Sequence, residues 1–321
     1  MSGYERKTQK EICVVGAGVI GLTTALLLLR NGRKVQIIAE DVGGKICSRN
    51  AGAIWGPFLS EEDERVFDWS FRTLETLREL AKNSATGVKM VDGVLAADYE
   101  TEMPGWFNLL GQEHEYNEKL PDGYLHGWRY TVPIIDVIEY LKWLEVEIKK
   151  FGAKIVQRRV ESIESISNVY DLVVNCTGMG ARQLCNDKEL YPVKGQLVVL
   201  RNPGIEKFFA ERGDLIQLFY WMPQGEKIIL GGTAETEYGD EGVEEAQIQR
   251  MLTKAVAIEP KFKNAEIIGY RVGFRPVRPQ VRFEFDRHYA NVFHNYGHAG
   301  SGLSLSWGCA QDVEREITRK P

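Results

Sequence analysis

Three glycines near the start of the chain have the spacing of a phosphate-binding turn, Gly16-x-Gly18-x-x-Gly21. A short apolar run, Glu11 to Val15, predicts a buried strand before them, and an apolar helix follows. In this setting the first glycine permits a tight turn, the second lets a pyrophosphate approach the backbone, and the third allows close packing of helix on strand. The helix N-terminus then presents N–H groups and partial positive charge to phosphates.

A carboxylate completes the same unit. The second apolar strand, Lys34 to Ala39, is followed by Glu40, about 20 residues after the last glycine, where an acid accepts hydrogen bonds from a ribose. The resulting βαβ unit predicts a dinucleotide site. The pattern occurs with both FAD and NAD, so it does not choose between them.

Two arginines in the last quarter of the chain each precede a proline, within Gly273–Gln280: Arg275-Pro276 and Arg278-Pro279. A residue before proline is restricted to extended backbone, which fixes the direction of its side chain. A guanidinium held in this way can bind a carboxylate through two parallel hydrogen bonds. An isolated Arg-Pro is equally compatible with a surface turn that carries solvated arginines.

Small residues are concentrated in the segment His294–Gly308, which leads into a predicted helix from Leu303 to Lys320. Such a segment lets backbone approach a flat ring and directs amides at negative charge, as the N1–C2=O edge of a reduced flavin requires. A simple tight turn before a helix is the alternative. His294 and His298 stand four residues apart, but the glycine between them disfavours the helix that a shared metal requires, and no metal site is predicted.

Five segments, in order along the chain, resemble the FAD-dependent D-amino acid oxidase and D-aspartate oxidase family. The resemblance runs from about residue 11 to residue 315, and its two C-terminal segments are the most specific. It is closer to the D-amino acid oxidases. The segments are Val14–Leu22, Val174–Gly178, Lys194–Gln196, Gly273–Gln280 and His294–Gly308.

The resemblance implies an α/β fold in which a Rossmann-like, glutathione-reductase-like FAD-binding domain is interleaved with a substrate domain built on a mixed or antiparallel sheet. The FAD-binding domain is expected at residues 1–60, 135–185 and 265–321, and the substrate-binding domain at 61–134 and 186–264. The implied reaction is oxidative deamination of a D-amino acid by hydride transfer from Cα to flavin N5. Oxygen is the electron acceptor, and the products are a 2-oxo acid, ammonia and hydrogen peroxide.

By position, the resemblance implies three residues that contact the substrate. Arg275 binds the α-carboxylate, Tyr220 helps to hold it, and the backbone carbonyl of Gly300 receives the amine. The FAD contacts that it implies are Gly16, Gly18, Gly21, Glu40, Asp41, Ser48, Gly52, Ala53, Ile54, Val160, Ala299, Gly300, Ser301, Gly302, Leu303 and Ser304.

Two departures from the family bear on the substrate. The stretch before Tyr220, Leu215–Leu218, lacks the second pocket tyrosine of the animal D-amino acid oxidases. Where D-aspartate oxidases carry an arginine after Gly-Gly-Thr, this chain has Ala234. Neutral D-amino acids are therefore expected, with acidic ones as the alternative. Arg212 could replace the missing arginine, and it fits a solvated loop arginine equally well.

Two further functions remain open at this point: an NAD-dependent dehydrogenase built on the same βαβ unit, and a flavin-binding module without activity. Composition excludes other classes. With 40 basic and 45 acidic residues the net charge is −5, so no general attraction to nucleic acid or to an anionic membrane is expected. The five cysteines form no C-x-x-C pattern, which disfavours both a disulfide framework and a zinc site.

Sequence features also give an expected location and assembly. The polar N-terminus lacks a signal core, and the longest apolar stretch, Val14–Leu29, is shorter than the ~20 residues that cross a bilayer. We expect a cytoplasmic enzyme, or a peroxisomal one if a C-terminal targeting tripeptide was removed. Its expected partners are a small D-amino acid and O2, and the resemblance implies a homodimer or higher homo-oligomer.

Overall fold

The computed structural model describes residues 11–42, 46–56, 64–114, 116, 118–213, 219–237 and 241–320. In chain order the strands are β1 (Glu11–Val15), β2 (Lys34–Ala39), β3 (Val88–Ala97), β4 (His126–Ile135), β5 (Ile155–Gln157), β6 (Leu172–Asn175), β7 (Tyr191–Arg201), β8 (Phe208–Glu211), β9 (Tyr220–Gln224), β10 (Lys227–Gly231), β11 (Ile267–Phe285) and β12 (Val292–His298). The helices are α1 (Val19–Arg30), α2 (Glu64–Leu80), α3 (Val137–Lys150), α4 (Ile163–Ser167), α5 (Ala181–Leu184), α6 (Glu245–Ile258) and α7 (Gly302–Arg319).

The chain divides into two compact units, each assembled from separate segments. The first unit comprises Met1–Ile46, Leu141–Tyr191 and Pro276–Pro321, and the second comprises Cys47–Tyr140 and Pro192–Arg275. Strand β11 passes from the second unit to the first between Arg275 and Pro276. The candidate site residues are distributed over both units.

A parallel sheet forms the centre of the first unit, with the strand order β12-β6-β1-β2-β5. The last part of β11 pairs antiparallel with β12. Helix α1 is buried on nearly all sides and packs against α7, which explains why its sequence is almost continuously apolar. It ends at Asn31 and Gly32, where a left-handed glycine (φ +77°) closes the last turn.

The second unit contains a sheet with the order β4-β3-β8-β9-β10-β7, antiparallel except for the parallel pair of β3 and β8. Its core joins aromatic and aliphatic side chains of these strands to α6, through residues that include Phe209, Trp221 and Met251. This mixed sheet, together with the parallel sheet of the first unit, confirms the predicted α/β class.

Some elements have the predicted extents and others do not. Helix α3 spans Val137–Lys150 as predicted, and the segment with the two Arg-Pro pairs is extended within β11. Residues 97–130, predicted as irregular with short strands, contain a 3-10 helix and the first half of the ten-residue strand β4. Its partner β3 was missed because its second half, Gly93–Ala97, is buried on both faces and shows no alternation. Within the part of the chain that the structure describes, no helix has the length and apolar character needed to span a bilayer.

Candidate active site

The glycine turn after β1 is packed as its spacing predicts. Gly16 has φ +112° and its N–H donates to the carbonyl of Ile38 over 2.8 Å. A Cβ at Gly16 would lie 2.4 Å from the carbonyl oxygen of Cys176, and one at Gly21 would lie 2.0 Å from the carbonyl oxygen of Gly16. Both positions therefore accept glycine alone, and the turn brings β1, α1 and the end of β6 together.

Two helices begin beside this turn. Gly18 is the N-cap of α1 in extended backbone (φ −72°, ψ 176°). A Cβ at Gly302, the first residue of α7, would lie 3.7 Å from Cγ1 of Val19, so the N-termini of α1 and α7 are adjacent. Neither helix has an acidic residue in its first turn. Their positive ends therefore combine to favour a negatively charged group.

Glu40 lies directly after β2, on the surface, as predicted. Its Oε1 is 3.3 Å from Nη1 of Arg159. Arg159 also donates to Oε1 of Gln183 over 3.2 Å. Sequence reasoning missed Arg159, although a basic residue beside the implied contact Val160 was a usable signal.

The turn between β12 and α7 has unusual backbone. Gly297 has φ +87° and Ala299 has φ +47°, and the N–H of Ala299 donates to the carbonyl of Pro276 over 3.0 Å. Gly300 is exposed at the tip. This arrangement lets backbone groups, rather than side chains, face a ligand.

The other FAD contacts implied in the first unit have side chains that are covered. Ser301, Leu303 and Ser304 are each less than a tenth exposed, so they would offer a cofactor backbone groups or small surfaces. Val160 packs at the edge of an apolar cluster that includes Cys13 and Ile38. Asp41 follows Glu40 in irregular backbone and is half-buried.

In the second unit, the segment Gly52–Ile54 is anchored by backbone hydrogen bonds. Ala53 has φ +66° and its carbonyl accepts from the N–H of Ile135 over 2.9 Å. The carbonyl of Gly52 accepts from Nε2 of Gln224 over 3.0 Å, while Ile54 bridges to Ile134. Ser48 lies just upstream in the 3-10 turn Cys47–Asn50.

The guanidinium of Arg275 packs directly against backbone groups of the second unit. Its Nη1 donates to the carbonyl of Thr233 over 2.8 Å and to that of Lys194 over 3.5 Å. A Cβ at Gly195 would lie 2.5 Å from the same nitrogen. A side chain at position 195 would overlap the guanidinium in this position. The segment Lys194–Gln196, one of the five that resemble the family, therefore packs directly against Arg275.

Tyr220 lies within reach of this guanidinium. Burial raises the pKa of the Tyr220 hydroxyl, while the charge of Arg275 and a hydrogen bond to it act in the opposite direction. Its hydroxyl oxygen would lie 3.0 Å from a Cβ at Gly232 and 3.2 Å from one at Gly52. The structure thus brings Arg275, Tyr220 and Gly52 together, and Tyr220 stays a protonated donor at neutral pH.

Arg212 is half-buried and makes contacts within the second unit. Its guanidinium lies 5.8 Å from the centre of the Trp128 ring and donates to the carbonyl of Glu102. Arg212 follows β8 in irregular backbone, and both expectations for this residue stay predictions. The stretch Leu215–Leu218, which the sequence comparison singled out, lies outside the described residues.

A polar network behind the glycine turn was missed at the level of sequence. Asn175 contacts Nδ1 of His294 at 3.2 Å, and its Oδ1 accepts from the hydroxyl of Thr177 over 2.8 Å. Nε2 of His294 is 2.9 Å from Asp286. Burial acts to raise the pKa of Asp286, but the hydrogen bonds that it accepts lower it to about 2. Asn175 belongs to a resemblance segment, and its buried position at the end of β6 was the available signal.

Possible metal ligands do not gather in one place. His294 contacts Asn175 and Asp286, whereas Nε2 of His298 lies 3.5 Å from the sulfur of Cys309. Among the residues that the structure describes, no group of three or more His, Cys, Asp or Glu side chains could hold a metal ion. All five cysteines are free thiols.

We expect the protein to lose stability in mild acid because of two buried imidazoles. Burial lowers the pKa of His298 to about 3 and also lowers the pKa of His294. The unfolded chain binds protons below a pH of about 6.5, while the folded chain resists them, so stability is complete above that pH and falls as pH decreases towards 3. The expected loss from His298 is roughly 1 kcal/mol per pH unit, and His294 adds to it in the same direction; the free energy of urea unfolding at several pH values measures it.

Replacement of His298 by asparagine should flatten this pH dependence, because it removes one of the two groups. Replacement of the exposed His288 by asparagine is the matched control and should leave the slope parallel to that of the wild type. A wild-type unfolding free energy that stays constant between pH 7 and 4 contradicts the prediction.

Comparisons with known proteins identify the family. A family model described as FAD dependent oxidoreductase matches residues 11–315, and the chain belongs to this family. A D-amino-acid oxidase of Rubrobacter xylanophilus is 34% identical over 98% of this chain and 97% of its own. One of Streptomyces coelicolor is 35% identical over 95% and 96%, and a human D-aspartate oxidase is 29% identical over 96% and 94%.

Solved structures agree on the fold. Glycine oxidase from Bacillus cereus superposes with a TM-score of 0.79 at 20% identity, covering 98% of this chain and 96% of that one. L-proline dehydrogenase from P. horikoshii gives a TM-score of 0.81 at 18% identity, covering 97% and 94%. At these identities the likeness concerns the fold alone.

The cofactor of the family, FAD, fits the residues that are present. A side chain at Gly16 or Gly21 would clash with backbone, so the turn is tightly packed and carries no side chain at either position, as a pyrophosphate-binding turn requires. The adjacent N-termini of α1 and α7 supply positive charge. The chain is thus an FAD-dependent oxidoreductase, and the NAD-dependent alternative is wrong.

Proposed function

We propose that this chain is a D-amino acid oxidase that deaminates neutral D-amino acids. The observation that carries the proposal is that Arg275 and Tyr220 lie together beside the backbone of Gly195. This pair provides one cation and one neutral hydrogen-bond donor for a carboxylate. The identity of 34–35% to two D-amino-acid oxidases over nearly the whole chain supports it.

In the proposed complex, Arg275 binds the substrate α-carboxylate. Its Nη1 donates to two backbone carbonyls, so the remaining N–H groups of the planar guanidinium donate to the carboxylate oxygens. Tyr220 donates a further hydrogen bond because burial keeps its hydroxyl protonated. These two contacts fix the acid end of the substrate.

The amine would be received by the carbonyl of Gly300, which is exposed in the turn before α7. Two fixed ends orient the Cα–H bond, and only one enantiomer can then direct that hydrogen correctly with its side chain in the pocket. A neutral amine leaves its lone pair available for imine formation, so no side-chain base is required. FAD, held beside the Gly16–Gly21 turn, would supply a two-electron acceptor that O2 reoxidises, with hydrogen peroxide as the product.

The fifteen other FAD contacts implied by the resemblance remain part of the proposal. So does the domain assignment, in which residues 1–60, 135–185 and 265–321 hold FAD and residues 61–134 and 186–264 hold the substrate. The proposal also includes a homo-oligomer and a cytoplasmic location. The product imine hydrolyses to a 2-oxo acid and ammonia.

The preference for neutral substrates rests on charge. Ala234 follows Gly231-Gly232-Thr233 and offers no cation for a second carboxylate. Arg212, the other candidate, is engaged with the Trp128 ring and the Glu102 carbonyl. We therefore infer that an acidic side chain would lack a partner, which disfavours binding of a desolvated carboxylate.

The test is anaerobic reduction of the purified yellow protein by single amino acids. D-alanine and D-valine are expected to bleach the flavin absorbance fully, L-alanine and L-valine to leave it unchanged, and D-aspartate to act much more slowly. In air, peroxide and ammonia should form in equal amounts. Equal bleaching by both enantiomers, or bleaching by D-aspartate alone, would refute the proposal.

A further inference from the structure

The position of Arg275 depends on two backbone segments that are joined to each other. One is Lys194–Gln196 and the other is Thr233–Glu235, and each contributes a carbonyl to the guanidinium. An antiparallel bridge links Lys194 with Glu235, with both N–H···O distances at 2.9 Å. A shift of either segment therefore moves the groups that orient Arg275.

Gln196 holds these segments through three hydrogen bonds, although it is fully buried. Its backbone N–H donates to the hydroxyl of Thr233 over 3.0 Å. Its Nε2 donates to Oε1 of Glu235 over 2.8 Å, and its Oε1 accepts from the N–H of Glu244 over 2.7 Å. Both the N–H donor and the carbonyl oxygen of the side-chain amide are thus hydrogen-bonded, which only an amide of this length can do.

An ion pair between a buried lysine and a partly exposed glutamate lies in the same region. The side chain of Lys194 is fully buried, and its Nζ lies 3.2 Å from Oε1 of Glu244, the N-cap residue of α6. Gln196 binds the backbone of that same Glu244. The start of α6 is thereby connected to the two segments whose carbonyls accept hydrogen bonds from Arg275.

We propose that Gln196 is a positioning residue for substrate-carboxylate binding. It keeps the carbonyl of Thr233 within hydrogen-bond distance of Nη1 of Arg275. That nitrogen then points away from the substrate, and the other N–H groups of the guanidinium stay available for the carboxylate. This inference rests on the proposed function, because it requires that Arg275 binds a carboxylate.

The first experiment replaces Gln196 by methionine, which keeps the side-chain length and removes both hydrogen bonds of the side-chain amide. The expected result is a rise of about tenfold in the KM for D-alanine, with kcat within about twofold of the wild type. The Kd of propanoate, an unreactive carboxylate followed by perturbation of the flavin spectrum, should rise by the same factor.

Gln112 provides the matched control. Its amide also makes two hydrogen bonds, to the carbonyl and the N–H of Thr131 at 2.9 and 2.8 Å, in the same unit. Gln112→Met should lower the melting temperature without changing the propanoate Kd. If Gln196→Met behaves like Gln112→Met, the role of Gln196 is merely structural and the inference is wrong.

A second variant, Gln196→Glu, serves if the methionine variant does not fold. An ionised glutamate can accept from Glu244 but repels Glu235, whereas a protonated one restores the donor. Two carboxyl groups in contact raise each other's pKa, so the propanoate Kd should approach the wild-type value as pH falls from 8 to ~6. The charged groups around this cluster include Glu235, Glu244, Lys194 and Arg275, together with Arg250 of α6, which donates to the carbonyl of Gly232 over 3.3 Å. A Kd that does not respond to pH overturns the inference.

A double variant with Arg275→Lys separates an effect through Arg275 from an independent one. If Gln196 acts through the guanidinium, its replacement should change the propanoate Kd by less than about twofold in the lysine background. Additive effects exclude positioning. Failure of the wild type itself to bind propanoate would refute the proposed function along with this inference, whereas an equal propanoate Kd for wild type and Gln196→Met would refute the inference alone.

Discussion

Replacement of Arg275 by alanine should raise the KM for D-alanine by ~100-fold or more, while the purified protein retains FAD. Arg275 supplies the cation at the place where Gly195, Thr233 and Tyr220 meet. Without it the substrate carboxylate enters a partly buried site with no charged partner, which costs ~2–5 kcal/mol. Steady-state kinetics together with the flavin content of each preparation provide the measurement.

Two further variants show whether the rise in KM is specific to the guanidinium of Arg275. Arg275→Lys keeps the positive charge but loses the planar fork, so its KM should lie between those of wild type and alanine variant. Arg212→Ala is the matched control, since this arginine belongs to the same unit but is engaged with Trp128. Its KM for D-alanine should stay within about twofold of wild type. An unchanged KM in Arg275→Ala would remove Arg275 from the site.

The second large effect is expected at Gly16. Gly16→Ala should yield a protein that does not retain FAD and is destabilised by ~3 kcal/mol or more. The backbone has φ +112°, and the added Cβ would lie 2.4 Å from the carbonyl of Cys176. Either the turn or the end of β6 must therefore move. Flavin content and thermal unfolding of the purified variant measure the two effects.

Gly32→Ala is the matched control for this substitution. Gly32 also has a positive φ (+77°), but no atom lies within 4 Å of the place that a Cβ would occupy. It should cost only the backbone strain, ~1 kcal/mol, and leave FAD bound. If both variants lose the same stability and both keep FAD, the close approach at Gly16 is not what shapes the cofactor site.

Gly18→Ala separates cofactor binding from folding. Its backbone (φ −72°, ψ 176°) is open to alanine, so the apoprotein should fold, whereas FAD affinity should fall by about tenfold or more because the methyl group keeps the pyrophosphate away. Titration of the apoprotein with FAD measures this loss.

The sequence by itself determined the βαβ unit and predicted that its ligand is a dinucleotide. A glycine spacing, an apolar helix and an acid at the end of the second strand are local patterns, and they predict a turn whose backbone can approach a pyrophosphate. The extended backbone at Arg275 was likewise predictable, because a following proline restricts its conformation. The position of Glu40 after β2 followed from the length of the unit.

Tertiary structure alone decided what surrounds these residues. Gly195 and Thr233 stand far from Arg275 along the chain, and no local pattern reveals that one leaves space for the guanidinium and the other supplies its acceptor. The same holds for Arg212, whose partner Trp128 lies on another strand. Side-chain orientation in a site depends on contacts between distant segments, and these arise only when strands from separate parts of the sequence pair.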